Sequence, residues 1–155
     1  MPVASKRLTA DVYANTATAR ARLSGLAGRA TDLRPAMQVV KGLIIEGHKR
    51  NFMSKGGEFG TRWAPNAAGT LAKKARLGQG SSPLEATGAL KTALFGGRGR
   101  STRVTKSGVR VGVRLMYARY NLGESRYRPA RPMVGVSPAT ERAAYKVIER
   151  YLVGR

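Results

Sequence analysis

Between residues 52 and 65 the chain reads Phe-Met-Ser-Lys-Gly-Gly-Glu-Phe-Gly-Thr-Arg-Trp-Ala-Pro, which places the single tryptophan and two of the three phenylalanines on a backbone punctuated by Gly56, Gly57 and Gly60. Glycines permit tight turning and disfavour helix, while Pro65 holds Ala64 extended. A large apolar load is thus carried by backbone that is not free to be helix. Exposed tryptophan and phenylalanine need a partner to cover them. The stretch therefore predicts a crossover loop that pins itself to the core through Phe59 and Trp63, and the rest of the chain has to be built around that knot.

Upstream of it, Thr31 or Asp32 offers a helix cap and Pro35 falls in a first turn, where its missing N–H costs nothing. Met37, Val40, Leu43, Ile44 and Gly47 then recur at helical spacing, which predicts a long core helix ending near Phe52. His48 lies near its end without cysteine or carboxylate neighbours at ligand spacing, so it is not read as a metal ligand. Residues 1–33 read as an arm ordered mainly by its neighbours. Its residues 8–13 suggest a short strand, and Leu23, Leu26, Ala27, Ala30 and Leu33 share one helical face, weakened by about 1 kcal/mol at each of Gly25 and Gly28.

Downstream, residues 70–77 predict a short basic helical turn, and Leu84, Leu90 and Leu94 point inward around a turn that Thr87 can cap. Residues 102–105 and 109–114 alternate apolar and basic across Lys106-Ser107-Gly108, the pattern of a hairpin. One face buries Val104, Val109, Val111 and Val113. The opposite face and the adjoining loop show Arg98, Arg100, Arg103, Lys106, Arg110 and Arg114. Gly96-Gly97-Arg98-Gly99-Arg100 lacks the Lys-Ser/Thr of a phosphate-cradling loop and is read as flexible basic loop. Pro129 and Pro132 predict an extended edge segment over 129–136 that ends in a short strand. Ser137 and Pro138 then open a C-terminal helix whose stripe is Ala143, Ala144, Val147, Ile148, Tyr151 and Leu152. The expected fold class is α+β, a small antiparallel sheet with a long core helix and a C-terminal helix packed on it. One domain over 34–155 follows the arm.

Charge bounds the function. Twenty-nine Lys and Arg oppose eight Asp and Glu, a net +21. Such a chain repels its own copies unless something anionic or a large apolar contact offsets the field, and nucleic acid is the default anionic partner. Cysteine is absent, which excludes disulfides, thiolate metal sites and cysteine nucleophiles. One histidine, singly spread carboxylates and no serine in a nucleophile-elbow context lead us to expect no enzyme, no metal and no cofactor. Neither an apolar run long enough for a bilayer nor a secretory leader is evident, so an intracellularly assembled protein without a membrane partner is expected.

Several short pieces occur in an order that carries further meaning: Asn51-Phe52, Gly60-Thr-Arg-Trp63-Ala-Pro65, Thr70-Leu71 with Lys73 or Lys74, Leu84-Glu-Ala-Thr87-Gly88-Ala-Leu90, Val111-Gly112, Tyr117-Ala118, Gly123, and Pro129-Ala130-Arg131-Pro132 with Gly135. Each is weak alone. Together, across residues 51–136, they resemble the virion morphogenesis or tail-completion proteins of Mu-like and related tailed phages. The chain departs from that pattern at Asn121, where histidine is common, and in a shortened segment around Leu122-Gly123. The resemblance implies a structural head-tail connector, a homo-oligomeric ring of expected sixfold symmetry at the neck or tail end, through which genomic DNA passes. It implies neck, connector and tail-tube proteins as neighbours, and a virion location after assembly in the host cytoplasm. Phe59, Trp63, Pro65, Tyr117, Pro129, Arg131 and Pro132 are then expected to anchor the fold and its interfaces, with the basic hairpin facing DNA or an acidic ring. The alternative is a free-standing nucleic-acid-binding protein that uses the same hairpin.

Overall fold

The computed structural model describes residues 4–121 and 129–154, with side chains described from residue 17 onward. Five helices and one hairpin appear among them: α1 (Ala4–Ala30), α2 (Arg34–Met53), α3 (Ala68–Arg76), α4 (Ala89–Leu94), β1 (Arg100–Val104), β2 (Val109–Val113) and α5 (Pro138–Val153), with 3-10 turns at Gly57–Phe59 and Met116–Asn121. The fold is α+β, mostly helical with a small two-stranded antiparallel sheet. No helix among the described residues is long and apolar enough to cross a membrane.

Helix α2 is the middle of the molecule. Its first turn carries Pro35 as expected, and the Asp32 carboxylate accepts the Arg34 N–H at 3.0 Å, which supplies one orphan donor of the helix start. Hydrogen bonds from Arg34 hold the Asp32 carboxyl at about 2, with the Lys106 ammonium adding to the effect. Met37, Val40 and Gly47 are buried along the expected stripe. Both α5 and the hairpin pack on α2. The C-terminal helix thus lies chiefly against α2 and α1, and reaches the sheet's partner helix in place of the sheet. Ser137 caps it by accepting the Thr140 N–H at 3.2 Å, with Pro138 in the first turn.

Two expectations are corrected. Residues 8–13 form part of α1 and make no strand, because alanines throughout the surrounding segment favour helix more strongly than Val12 and Tyr13 favour extension. Residues 129–136 cross the core as an irregular strap that ends in no strand. Pro129 and Pro132 donate nothing, and the Pro132 and Gly135 carbonyls are taken up by side chains of α2 and the tryptophan loop in place of a neighbouring strand. Leu122 and Gly123 lie outside the described residues.

The main apolar cluster joins Phe52, Trp63, Leu90, Leu94, Ala118 and Met133, with Phe95, Val113 and Leu115 packed around it. Phe52 meets Trp63 edge to face at 5.2 Å and Phe95 at 5.8 Å. Gly56 makes the loop possible: its φ is +96°, and a Cβ there would lie 2.1 Å from the Thr61 carbonyl oxygen and 2.6 Å from the Trp63 ring.

Candidate functional site

The hairpin register decides which basic residues act together. Arg103 pairs with Arg110, Ser101 with Gly112, Arg100 with Val113, Thr102 with Val111 and Val104 with Val109. Directly paired residues share a face and alternate positions face opposite ways. Arg103 and Arg110 therefore stand together on the exposed face. Arg114 joins them, its N–H extending the ladder to the Gly99 carbonyl at 2.8 Å. The valines turn toward α2, and Val113 reaches the core cluster.

Arg100 falls on the valine side, half-buried, with its guanidinium folded over the Gly96 turn at 2.9 Å from the place a Cβ would take. It is the one member of the expected basic set that the register separates from Arg103 and Arg110. Lys106 is exposed in the turn and Arg98 is exposed in the loop before β1. The turn is held from outside, since the Lys106 carbonyl accepts the Leu33 N–H at 2.9 Å, and from inside, where Thr105 N–H reaches the Gly108 carbonyl at 2.8 Å.

None of these six basic side chains has an ion-pair partner within 4.0 Å among the described residues, whose ion pairs are Arg34–Asp32, Lys49–Glu46, Arg50–Glu58 and Lys91–Glu85. Like charges directly opposite in a ladder destabilise it by about 0.2–1 kcal/mol. Arg103 and Arg110 also line a shallow groove of 290 Å³ with Thr105, Gly108 and Val109. Two adjacent guanidinium forks over such a groove suit an anion with several oxygens, a phosphate above all.

Of the residues expected to anchor the fold, Phe59, Trp63, Pro65, Arg131 and Pro132 form a lock between the tryptophan loop and the strap, and Tyr117 and Pro129 lie outside it. Trp63 is buried, and its Nε1–H donates to the Pro132 carbonyl at 3.0 Å. Asn51, fully buried on α2, donates from Nδ2 to the same carbonyl at 3.0 Å and accepts the Phe59 N–H at Oδ1, 3.1 Å away. Arg131 closes the other side: Nε and Nη2 donate to the Ala64 carbonyl at 3.1 and 2.9 Å, and Nη2 to the Pro65 carbonyl at 3.0 Å. Desolvation lowers the Arg131 pKa. Phe59 packs against Gly135 and meets His48 edge to face at 6.0 Å. Tyr117 is partly exposed above a cavity that Leu84 and Leu90 line, and Pro129 is exposed at the start of the strap.

Three supports were not legible in the spacing of residues. His48 is buried, and its Nε2 sits 3.2 Å from the Gly135 carbonyl. Desolvation pulls its pKa below the ordinary value, and the Gly135 contact opposes this only in part. Glu58 accepts from Arg50 at 3.0 Å and from the Ser137 hydroxyl at 2.7 Å, which lowers its pKa and ties the tryptophan loop to the start of α5. Lys74 is buried, and its ammonium donates to the Ser82 and Glu85 carbonyls at 2.6 Å each, which orders the loop before α4. The sequence left Lys73 and Lys74 equivalent; helical phase against the loop picks Lys74.

A family model described as the phage virion morphogenesis family matches residues 14–153. No curated protein and no solved structure matches the chain.

Proposed function

Since the chain belongs to the phage virion morphogenesis family and is therefore a virion-associated morphogenetic protein of a bacteriophage, we propose that it is a head-tail connector or tail-completion subunit. Copies close into a ring, six by expectation, at the neck or tail end between connector and tail-tube proteins. DNA passes through the opening, and the exposed hairpin face turns toward it. The work is mechanical, and the reading assigns the chain no catalytic step and no cofactor.

The observation that carries this reading is the unneutralised Arg103–Arg110 pair on an exposed face, next to Arg114 and Lys106. A fold that keeps like charges opposite each other at a cost to the ladder is explained by an anion from outside. Phosphate contacts position DNA without reading bases, which suits a passage that must admit a whole genome. A ring of +21 subunits also needs such an anion, because its own field opposes closure.

Arg103→Glu tests it. The change turns a repulsive cross-strand pair into an attractive one, so the purified protein should be as stable as the parent or more stable by about 0.2–1 kcal/mol. Phage carrying it should nevertheless yield heads and tails that fail to join, or joined particles that lose DNA. Normal yields of DNA-filled particles would remove the hairpin from the passage. Protein that is missing from purified particles and shifts DNA as a monomer, with steep salt dependence, would favour the free-standing nucleic-acid binder.

A further inference from the structure

Two cavities, of 280 and 310 Å³, open beside each other and share a wall of Leu84, Ala86, Leu90 and Tyr117. The first also takes in Lys74 and Arg131, while the second adds Thr87, Gly88 and Ala89 and holds no charge. Leu84 is held there at φ +60°, one of two non-glycine residues in the left-handed region among the described residues. A leucine in that conformation is strained, and strain of this kind gathers at sites that bind. One side of Leu84 packs on the core cluster, and its remaining surface lines both cavities.

The charge of the first cavity is unmet. Lys74 is 8% exposed, and two of its three N–H donors go to the Ser82 and Glu85 carbonyls. Arg131 commits Nε and Nη2 to the Ala64 and Pro65 carbonyls, which leaves Nη1 without a partner among the described residues. Neither cation has a carboxylate within 4.0 Å among those residues, and the Glu85 carboxylate on the same wall pairs with Lys91 at 3.5 Å. A buried ammonium held only by neutral carbonyls is costly, and a carboxylate from outside would complete it.

We propose that the paired cavities receive an extended acidic segment of another protein of the particle. A carboxylate enters between Lys74 and Arg131, and an apolar side chain a residue or two away packs on Leu84, Leu90 and Tyr117 in the neighbouring cavity. The segment comes from elsewhere because this chain has eight acidic residues against 29 basic ones, and Asp32, Glu46, Glu58 and Glu85 already pair with cations. A DNA phosphate would satisfy the cations but leave the apolar wall and the whole second cavity against water. Only the source of the segment rests on the connector reading; the chemistry of the cavities stands without it.

The probe is an N-acetylated, C-amidated peptide, Glu-Phe-Glu-Leu-Glu, titrated into the isotope-labelled full-length protein at physiological salt. Amide shifts should centre on Lys74, Leu84, Leu90 and Arg131. The neutral analogue Gln-Phe-Gln-Leu-Gln and the equally charged Glu-Ala-Glu-Ala-Glu should each bind about tenfold more weakly or worse. Thr70 is exposed on α3 and lines the first cavity one turn before Lys74. Thr70→Glu puts a carboxylate there in the order that favours the helix, so it should fold like the parent by circular dichroism yet lose about tenfold or more in peptide affinity, while Thr70→Gln binds like the parent. No peptide shifts, controls that bind as well as the probe, or Thr70→Glu that binds unimpaired would overturn the proposal. So would shifts of the same amides when the parent alone is concentrated, which would give the site to a second copy, or peptide binding confined to Glu124→Gln, which would give it to this chain's own carboxylate. A short DNA duplex should shift Arg103 and Arg110 and spare the cavities. Duplex shifts centred on the cavities would assign them to nucleic acid and overturn the proposal, whereas peptide binding as expected with an unresponsive hairpin would support it and count against the connector reading alone.

Discussion

The Pro132 carbonyl accepts two side-chain donors, Asn51 Nδ2 and Trp63 Nε1, each at 3.0 Å, and either one alone would satisfy it. Their contributions therefore cannot be independent. Trp63→Phe removes one donor and leaves a smaller ring against Phe52, an expected loss of about 1–3 kcal/mol. Asn51→Leu removes the other donor and leaves the Phe59 N–H only its 3.2 Å bond to the Gly56 carbonyl, again about 1–3 kcal/mol. In each single variant Pro132 keeps a partner. In the double variant it has none, inside a lock where Asn51 is fully buried and Trp63 nearly so. The double variant should then exceed the sum of the singles by about 1–2 kcal/mol. Urea unfolding of the four proteins, followed by far-UV circular dichroism because one partner is the sole tryptophan, measures this cycle. In a chain of this size each kcal/mol is about 2–4 °C of Tm. Additivity to within about 0.5 kcal/mol would mean that the two donors do not share the carbonyl, and the lock would have to be redrawn.

Gly56→Ala should cost more than about 3 kcal/mol or abolish folding, since its Cβ meets backbone at 2.1 Å, whereas Gly60→Ala, at φ +80° in open space, should cost about 1 kcal/mol; thermal melts of the pair separate collision from φ preference. Thr102 Oγ1 is buried without a hydrogen-bond partner among the described residues, so Thr102→Val should raise the urea midpoint by about 1 kcal/mol of stability. His48 has a folded pKa below its ordinary value of 6.5, so it binds a proton more readily when unfolded. Its contribution is complete above pH 6.5 and falls as pH drops through the folded pKa, by at most about 1.4 kcal/mol per pH unit. Urea midpoints at pH 7.5 and 5.5 should differ in the parent and converge in His48→Gln.

What the sequence disclosed and what it withheld divide along a physical line. Period and punctuation exposed α2, α5 and the hairpin, because Pro35, Pro138 and the valine alternation act over a few neighbouring residues. The aromatic knot was legible for the same reason: glycines beside Phe59 and Trp63 leave the chain few local options. Even the position of Arg100 was within reach, since counting back by twos from Val104 puts it with the valines. Treating it as loop hid that parity. The strap was different. Its carbonyls are satisfied by side chains 69 to 87 residues away, and no local pattern tells a proline segment whether a strand or an asparagine will take up its acceptors. His48 and Asn51 read as ordinary polar positions of a helix until the strap is laid across them. The consequence bears on function. The basic hairpin rests on α2, and so does the strap, so the rigidity with which Arg103 and Arg110 are presented depends on polar bonds that periodicity does not show. A variant such as Asn51→Leu should then loosen the lock and depress particle assembly while leaving every hairpin arginine in place.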